Sequence, residues 1–303
     1  MIAALDKVRT FLLRQKSAEG HVIAQSLPSL TEVKSHNVED EFNQLKTLMT
    51  SKEWPEAVNP ALIVGQTEEN KIERAEGILD FLVDRSVANK RFLDFGCGEG
   101  HVAKVATSMG AIKSVGFDPV MPENAEPWKD LDGNSQKDGY ILTTDLNVVR
   151  KNGPYDIILA YDSIEHADNM IDALANLKSV ASPHAIIYLS FQPWIGRYGG
   201  VLYKEINKAF VHAVFTEDEL KQLGITPKWK HKTVFPMATY RDLIKQVGLK
   251  IISERVEREP VEGYFERIGI LRDRLMNAMP EGHRAKFPRQ QLEQVAVEYI
   301  LSL

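Results

Sequence analysis

The run Phe92-Leu-Asp-Phe-Gly-Cys-Gly-Glu-Gly100 carries residue types whose spacing can do chemistry. An apolar stretch ends in the carboxylate of Asp94, and glycine then recurs at 96, 98 and 100. Such a turn lets backbone approach a ligand closely at the carboxyl edge of a parallel sheet, where open α/β folds bind small molecules. A dinucleotide fingerprint beginning at Gly96 needs glycine at position 101, and that position is His101. A nicotinamide dinucleotide therefore fits poorly, while the acid at 94 suits a cationic ligand. Asp118 ends the next apolar stretch, Ile112 to Pro119, about 20 residues after Gly98, as a ribose-binding acid should. One helix, Gly100 to Met109, accounts for that distance by returning the chain to the start of the second strand. A third stretch, Gly139 to Thr144, runs into Asp145 and Leu146. A fourth, Tyr155 to His166, has an Ile157-Ile-Leu-Ala160 core that reads as a strand buried on both faces.

Asp-x-Gly-x-Gly-x-Gly after a strand, with three further acid-ended strands in order, resembles the motifs of class I S-adenosylmethionine-dependent methyltransferases. The resemblance covers residues 91–191. It implies an α/β, Rossmann-like seven-stranded sheet, mostly parallel with the last strand antiparallel, and helices on both faces. It implies S-adenosylmethionine as cofactor and S-adenosylhomocysteine as product. It also assigns roles: Asp94, Gly96, Cys97 and Gly98 form the cofactor loop, and Asp118 with Pro119 takes the ribose side. Asp145 and Leu146 meet adenine, and Tyr161 and Asp162 face the methionine half. Cys97 reads as a small residue that fits the loop, not as a nucleophile.

The chain has 303 residues and a net charge of -5, ample for a self-sufficient core. Its single cysteine leaves no internal disulfide and points to a reducing, cytoplasmic setting. The first residues, from Met1 to Arg9, are amphipathic and read as neither a signal peptide nor a membrane span. Charge is unevenly distributed. Residues 91–196 hold 8 basic and 14 acidic side chains, whereas residues 197–250 hold 10 basic and 5 acidic. The acidic segment favours a sulfonium and an ammonium. The basic one could draw an anionic acceptor or merely be a solvated surface. No stretch is basic enough to announce a nucleic-acid groove, and the expected assembly is a monomer or homodimer.

Residues 1–66 read as a helical extension and 67–303 as the methyltransferase domain. Helical apolar stripes run over Ile2 to Arg14, Val38 to Met49 and Thr67 to Val83, with Thr67 as a capped start. Residues 59–65 read as a loop. Asp168 to Val180 is an expected helix and Ala185 to Ser190 the fifth strand. The segment 191–238 then has no clean period but is rich in aromatic residues, which suits an acceptor-site lid and also a structural insertion. Helices are expected over Tyr240 to Val247 and Tyr264 to Met276, and a strand over Leu249 to Val256. Gln294 to Leu303 fits either period and is assigned as the antiparallel strand.

Methyl transfer requires alignment, exclusion of water and, for a hydroxyl acceptor, removal of a proton. No metal is required, and the eight histidines form no ligand-spaced cluster. His166, after the fourth strand, is the first candidate base, with a purely structural role as its alternative. His212 is the second. The run from His212 to Leu220 resembles a segment of bacterial small-molecule and sugar methyltransferases. Trp194, Arg197 and Tyr198 are candidate acceptor-binding groups, and His101 is expected to open the first helix. The reading is methylation of a small molecule, at oxygen of an anionic or sugar-like acceptor. The alternatives are an enzyme acting on RNA or protein, and a cofactor-binding regulatory subunit without turnover.

Overall fold

The structure, a computed structural model, describes residues 38–58, 67–82, 87–120, 136–137, 139–194, 196–198, 202–203, 205–226, 237–258, 269–278 and 294–303. The expected helix over Ile2 to Arg14 and the expected loop at 59–65 lie outside them, as does the start of the helix expected from Tyr264. The chain divides into two compact units, residues 1–44 and 45–303. Of the first, residues 38–44 are described, as the start of helix α1 (Val38–Met49). The sheet, the remaining helices and the site belong to the second.

Five strands form the parallel centre. They are β1 (Arg91–Phe95), β2 (Lys113–Phe117), β4 (Tyr140–Thr143), β5 (Tyr155–Tyr161) and β6 (Ala181–Phe191). Apolar runs in β1, β4 and β5 are buried because helices cover the sheet on both faces. β7 (Lys250–Arg258) follows, and β8 (Gln294–Ser302) inserts antiparallel between β6 and β7. The order is β3-β4-β2-β1-β5-β6-β8-β7. It contains the expected seven strands with the last one antiparallel. The two-residue β3 (Gln136–Lys137), antiparallel to β4 at the edge, is an addition that the sequence did not announce. β8 is a strand and not a helix, and its alternating burial follows from packing one face against the core.

One face of the sheet packs Leu93, Ile158, Ile187 and Leu189 against α5 (Met170–Val180) and α8 (Met237–Gln246). The other packs Phe92, Ile157 and Leu159 against α2 (Glu68–Leu82) and α3 (His101–Ser108). Thr67 accepts the Asn70 N–H and caps α2, as its sequence foretold. Asn169 caps α5, so that helix begins two residues later than expected. Helix α4 (Leu146–Asn152) connects β4 to β5. Helix α9 (Gly269–Ala278) covers the described part of the helix expected from Tyr264.

The segment after β6 contains two short helices, α6 (Val211–Val214) and α7 (Glu217–Gln222). Thr216 and Glu219 form a reciprocal capping box on α7. The segment is bolted to residues 51–58. Trp54 is buried, donates from Nε1 to the Ala209 carbonyl at 2.8 Å, and stacks on Phe215 at 5.9 Å. Lys208 Nζ donates to the carbonyls of Ser51 and Trp54, and Asn207 exchanges two hydrogen bonds with the Val58 backbone. Arg274 of α9 pairs with the buried carboxylate of Glu219 at 3.0 Å. Trp54→Ala should cost about 3–5 kcal/mol and open the 191–226 segment to limited proteolysis. Unchanged stability and an unchanged cleavage pattern would show that Trp54 is not the anchor.

Candidate active site at the carboxyl edge of the sheet

The chain leaves β1 toward β2 on one side and reaches β5 on the other, so a crevice opens between the carboxyl ends of β1 and β5. The glycine loop follows β1. Its Gly96 and Cys97 N–H groups both donate to the Phe117 carbonyl, at 2.7 and 2.9 Å, which fastens the loop to the end of β2. Gly96 and Gly100 have φ of 82° and 84°, and a Cβ at either would strike Ser163 or a Leu142 methyl. Gly98, with φ of 48°, is different, because a Cβ there would meet open space. Packing thus requires two of the glycines, while the third has empty space where a side chain would begin. Cys97 lies beneath, 3.0 Å from the Cβ position of Gly116, and burial raises its thiol pKa. It is a packed thiol and not an activated one.

Asp118 stands where the spacing put it. Its carboxylate accepts the N–H of Gly98 at 2.9 Å and that of Val120 at 3.0 Å. Burial raises its pKa and the two N–H groups oppose the rise. Pro119 beside it is exposed. The Asp118 N–H donates to Thr143 at the end of β4. Asp145, just beyond, caps α4 by accepting the Asn147 N–H at 2.8 Å. Leu146 opens that helix and packs partly on the core. Asp94 is 3% exposed, its Oδ2 has no hydrogen-bond partner among the described residues, and its pKa is pushed up to about 7, first by burial and then by Asp118.

Across the crevice, Asp162 has φ of 45°, a left-handed conformation that a non-glycine residue adopts at a cost. Its N–H donates to Ser190 at 2.7 Å, and burial pushes its carboxyl up to about 6 against the pull of Arg74. The Arg74 guanidinium lies 3.6 Å from that carboxylate and 5.6 Å from the centre of the Tyr161 ring. Glu165 is buried, accepts the Gln192 N–H, and has its pKa raised by burial and by Asp162. His166 ends the short turn Ile164–His166, and burial lowers its pKa, favouring the neutral ring.

In the insertion, His212 and Trp194 come together edge to face at 5.1 Å. His212 Nε2 lies 2.6 Å from the Trp194 carbonyl, which can only accept, so Nε2 carries the proton. Burial pushes this histidine down to about 4, and the neutral ring presents Nδ1 as an acceptor. Phe210, at φ 62°, is the N-cap of α6, the helix that carries His212. Arg197 lies 6.0 Å from the Tyr198 ring and donates from Nη2 to the Glu56 carbonyl at 2.6 Å. Tyr203 meets Tyr198 edge to face. Sequence reading missed Arg74, Tyr203 and Ser163. Arg74 sits on the polar side of α2, and nothing in its local spacing marks it.

The arrangement fits the sulfonium nucleoside that the resemblance implies. A buried carboxylate oxygen with no partner among the described residues suits an ammonium, the empty space at the Gly98 Cβ position suits close approach, and Asp118 retains lone pairs for ribose hydroxyls. Asp118→Ala should weaken S-adenosylhomocysteine binding by about 1–3 kcal/mol in calorimetry. Unchanged affinity would remove Asp118 from the site. A cationic ligand favours ionised Asp94, so binding releases its proton and affinity should rise from pH 5 through pH 7. Asp94→Asn should flatten that rise, and a wild-type affinity that is level over this range would contradict the assignment.

A family model described as a methyltransferase domain matches residues 67–254. Among curated proteins, no sequence gives a significant match. Three solved structures illustrate the likeness of fold. An S-adenosylmethionine-dependent methyltransferase from Archaeoglobus fulgidus is 14% identical with a TM-score of 0.46, covering 81% of this chain and all 100% of its own. One from Mesorhizobium loti is 15% identical at 0.42, covering 71% and 91%. Magnesium protoporphyrin IX methyltransferase from Synechocystis, with bound S-adenosylhomocysteine, is 16% identical at 0.40, covering 87% and 97%. Because the family match spans more than half of the chain, the glycine loop and all four strand ends included, this chain belongs to the methyltransferase domain family and is an S-adenosylmethionine-dependent class I enzyme.

Proposed function

We propose that the enzyme methylates an oxygen of a small anionic or sugar-like molecule. The observation that carries this reading is the anchoring of the insertion. Trp54, Lys208 and Asn207 tie it down, which makes it a fixed wall suited to a small acceptor. In this reading residues 67–303 form the catalytic domain, 191–238 the acceptor lid and 1–66 an extension. The basic balance of 197–250 would attract a carboxylate or phosphate.

When bound, the cofactor supplies an activated methyl group. The chain's own residues do the rest. Asp118 and Pro119 border the ribose, Asp145 and Leu146 the adenine. Asp94, Tyr161, Asp162 and the loop residues Gly96, Cys97 and Gly98 border the methionine half, where Arg74 offers a cation to its carboxylate. Trp194, Tyr198 and Arg197 line the acceptor side, Arg197 chiefly by holding Tyr198 in place. The acceptor's hydroxyl proton passes to a neutral histidine, His166 or Nδ1 of His212, both disposed to be uncharged by burial. A reducing cytoplasmic setting belongs to the same reading, given the single cysteine. No helix among the described residues is long and apolar enough to cross a membrane.

The test is transfer of labelled methyl from the cofactor to hydroxylated carboxylates and sugar acids, run beside RNA and protein. Label in the small molecules supports the proposal, and label only in a macromolecule overturns it. Cofactor binding without transfer to any acceptor would favour a regulatory subunit. Changing the true base to alanine should lower turnover by about 100-fold or more, with cofactor affinity nearly unchanged. If His166→Ala and His212→Ala both retain full turnover, neither is the base.

A further inference from the structure

Helix α2 and the cofactor loop are joined by a compact charge network that lies outside the crevice. Lys71 Nζ lies 2.6 Å from Glu99 of the loop and 3.2 Å from Glu68 of its own helix. His101, the first residue of α3, has its side chain 8% exposed. Its Nε2 lies 2.8 Å from Glu68, and its Nδ1 lies 3.6 Å from Glu99. The two carboxylates are thus bridged twice, once by an ammonium and once by an imidazole. Glu68, Glu99 and His101 could be mistaken for a metal-ligand group, since their ligating atoms all lie within 4.8 Å of one another. Lys71 already brings a positive charge to both carboxylates. The pairs also act on each other's ionisation: His101 lowers the Glu68 pKa, and Glu99 raises that of Lys71.

The network's position gives it a consequence. Glu99 stands between Gly98, whose N–H is held by Asp118, and Gly100, which packs on Leu142. Three residues after Lys71 on α2 comes Arg74, the guanidinium at Asp162 and Tyr161. Residues three apart on a helix share a face, so whatever fixes Lys71 also fixes the approach of Arg74. Apolar contacts of Ile72, Ala75, Ile78 and Leu79 hold α2 to the sheet. Among the described residues, the charge network is what ties its first turn to the loop.

We propose that Lys71 and His101 are positioning residues, which lock the first turn of α2 to the cofactor loop and so hold Arg74 in register with Gly98 across the crevice. The proposal rests on the cofactor-site reading above. Neither residue need touch the cofactor. Each acts through the placement of Arg74 and the loop backbone, so its loss should appear as weaker cofactor binding and a higher cofactor KM, with kcat at saturation nearly retained.

The test is a double-mutant cycle read by calorimetry with S-adenosylhomocysteine. Lys71→Met should weaken binding about tenfold, and Lys71→Arg, which keeps the charge, should restore most of it. In an Arg74→Ala background, Lys71→Met should weaken binding no further, because the residue through which it acts is gone. Losses that multiply, or a Lys71→Met protein with wild-type affinity, would overturn the proposal. Thermal midpoints of all variants separate lost placement from lost fold. If Lys71→Met does not fold, Glu99→Gln breaks the shortest contact of the network and gives the same cycle. Wild-type protein that fails to bind would overturn the cofactor-site reading itself. Wild-type binding with multiplying losses would overturn the lock alone.

Discussion

Removing a carboxylate from water is costly, by several kcal/mol per ion even after relaxation, unless a proton or a cation compensates. Asp94 is in that position, with one oxygen unpartnered among the described residues. Asp118 beside it, and Asp162 and Glu165 across the crevice, are all pushed toward their protonated forms by burial. Four acids at one edge of a sheet repel each other, and a core selected for stability alone would not keep them. Their presence makes sense when the site's occupant is cationic. The rest of the architecture can be understood as what it takes to hold that acidic edge open. Ser163 buttresses Gly96, the Phe117 carbonyl pins the loop, and the Asp162 carboxylate beyond its left-handed turn meets Arg74.

The insertion after β6 is built differently. It owes little to the sheet and much to contacts between distant parts of the chain. The Trp54 indole, the Lys208 ammonium and the Arg197 guanidinium all donate to backbone carbonyls, so they fasten irregular chain where no ladder can. The pair of Arg274 with the buried Glu219 does the same for α7, whose capping box uses the same glutamate. A strained Phe210 and a histidine tautomer fixed by a carbonyl are features that such a scaffold can hold in place.

The acidic edge was legible in the sequence, and the ties that fasten the insertion were not. Asp94, the glycines and Asp118 sit at distances imposed by one strand, one helix and the return of the chain, so local reading finds them. Asp145 and Asp162 follow for the same reason. The Trp54–Ala209 hydrogen bond joins residues 155 apart, and no local pattern marks either partner. Arg74 lies on the polar side of a helix whose apolar stripe alone was informative. Gln294–Ser302 was ambiguous because its alternation is imperfect. Pairing with β6 and β7, a tertiary matter, makes it a strand. The two residues of β3 are too few to carry any period.

The central claim is that the edge between β1 and β5 binds a sulfonium nucleoside and not a dinucleotide. Calorimetric titration with S-adenosylmethionine, S-adenosylhomocysteine and NAD in parallel tests it most directly. The account predicts micromolar binding of both sulfur compounds and none of NAD. Binding of NAD, or no binding of either sulfur compound by protein shown to be free of carried-over ligand, would contradict it.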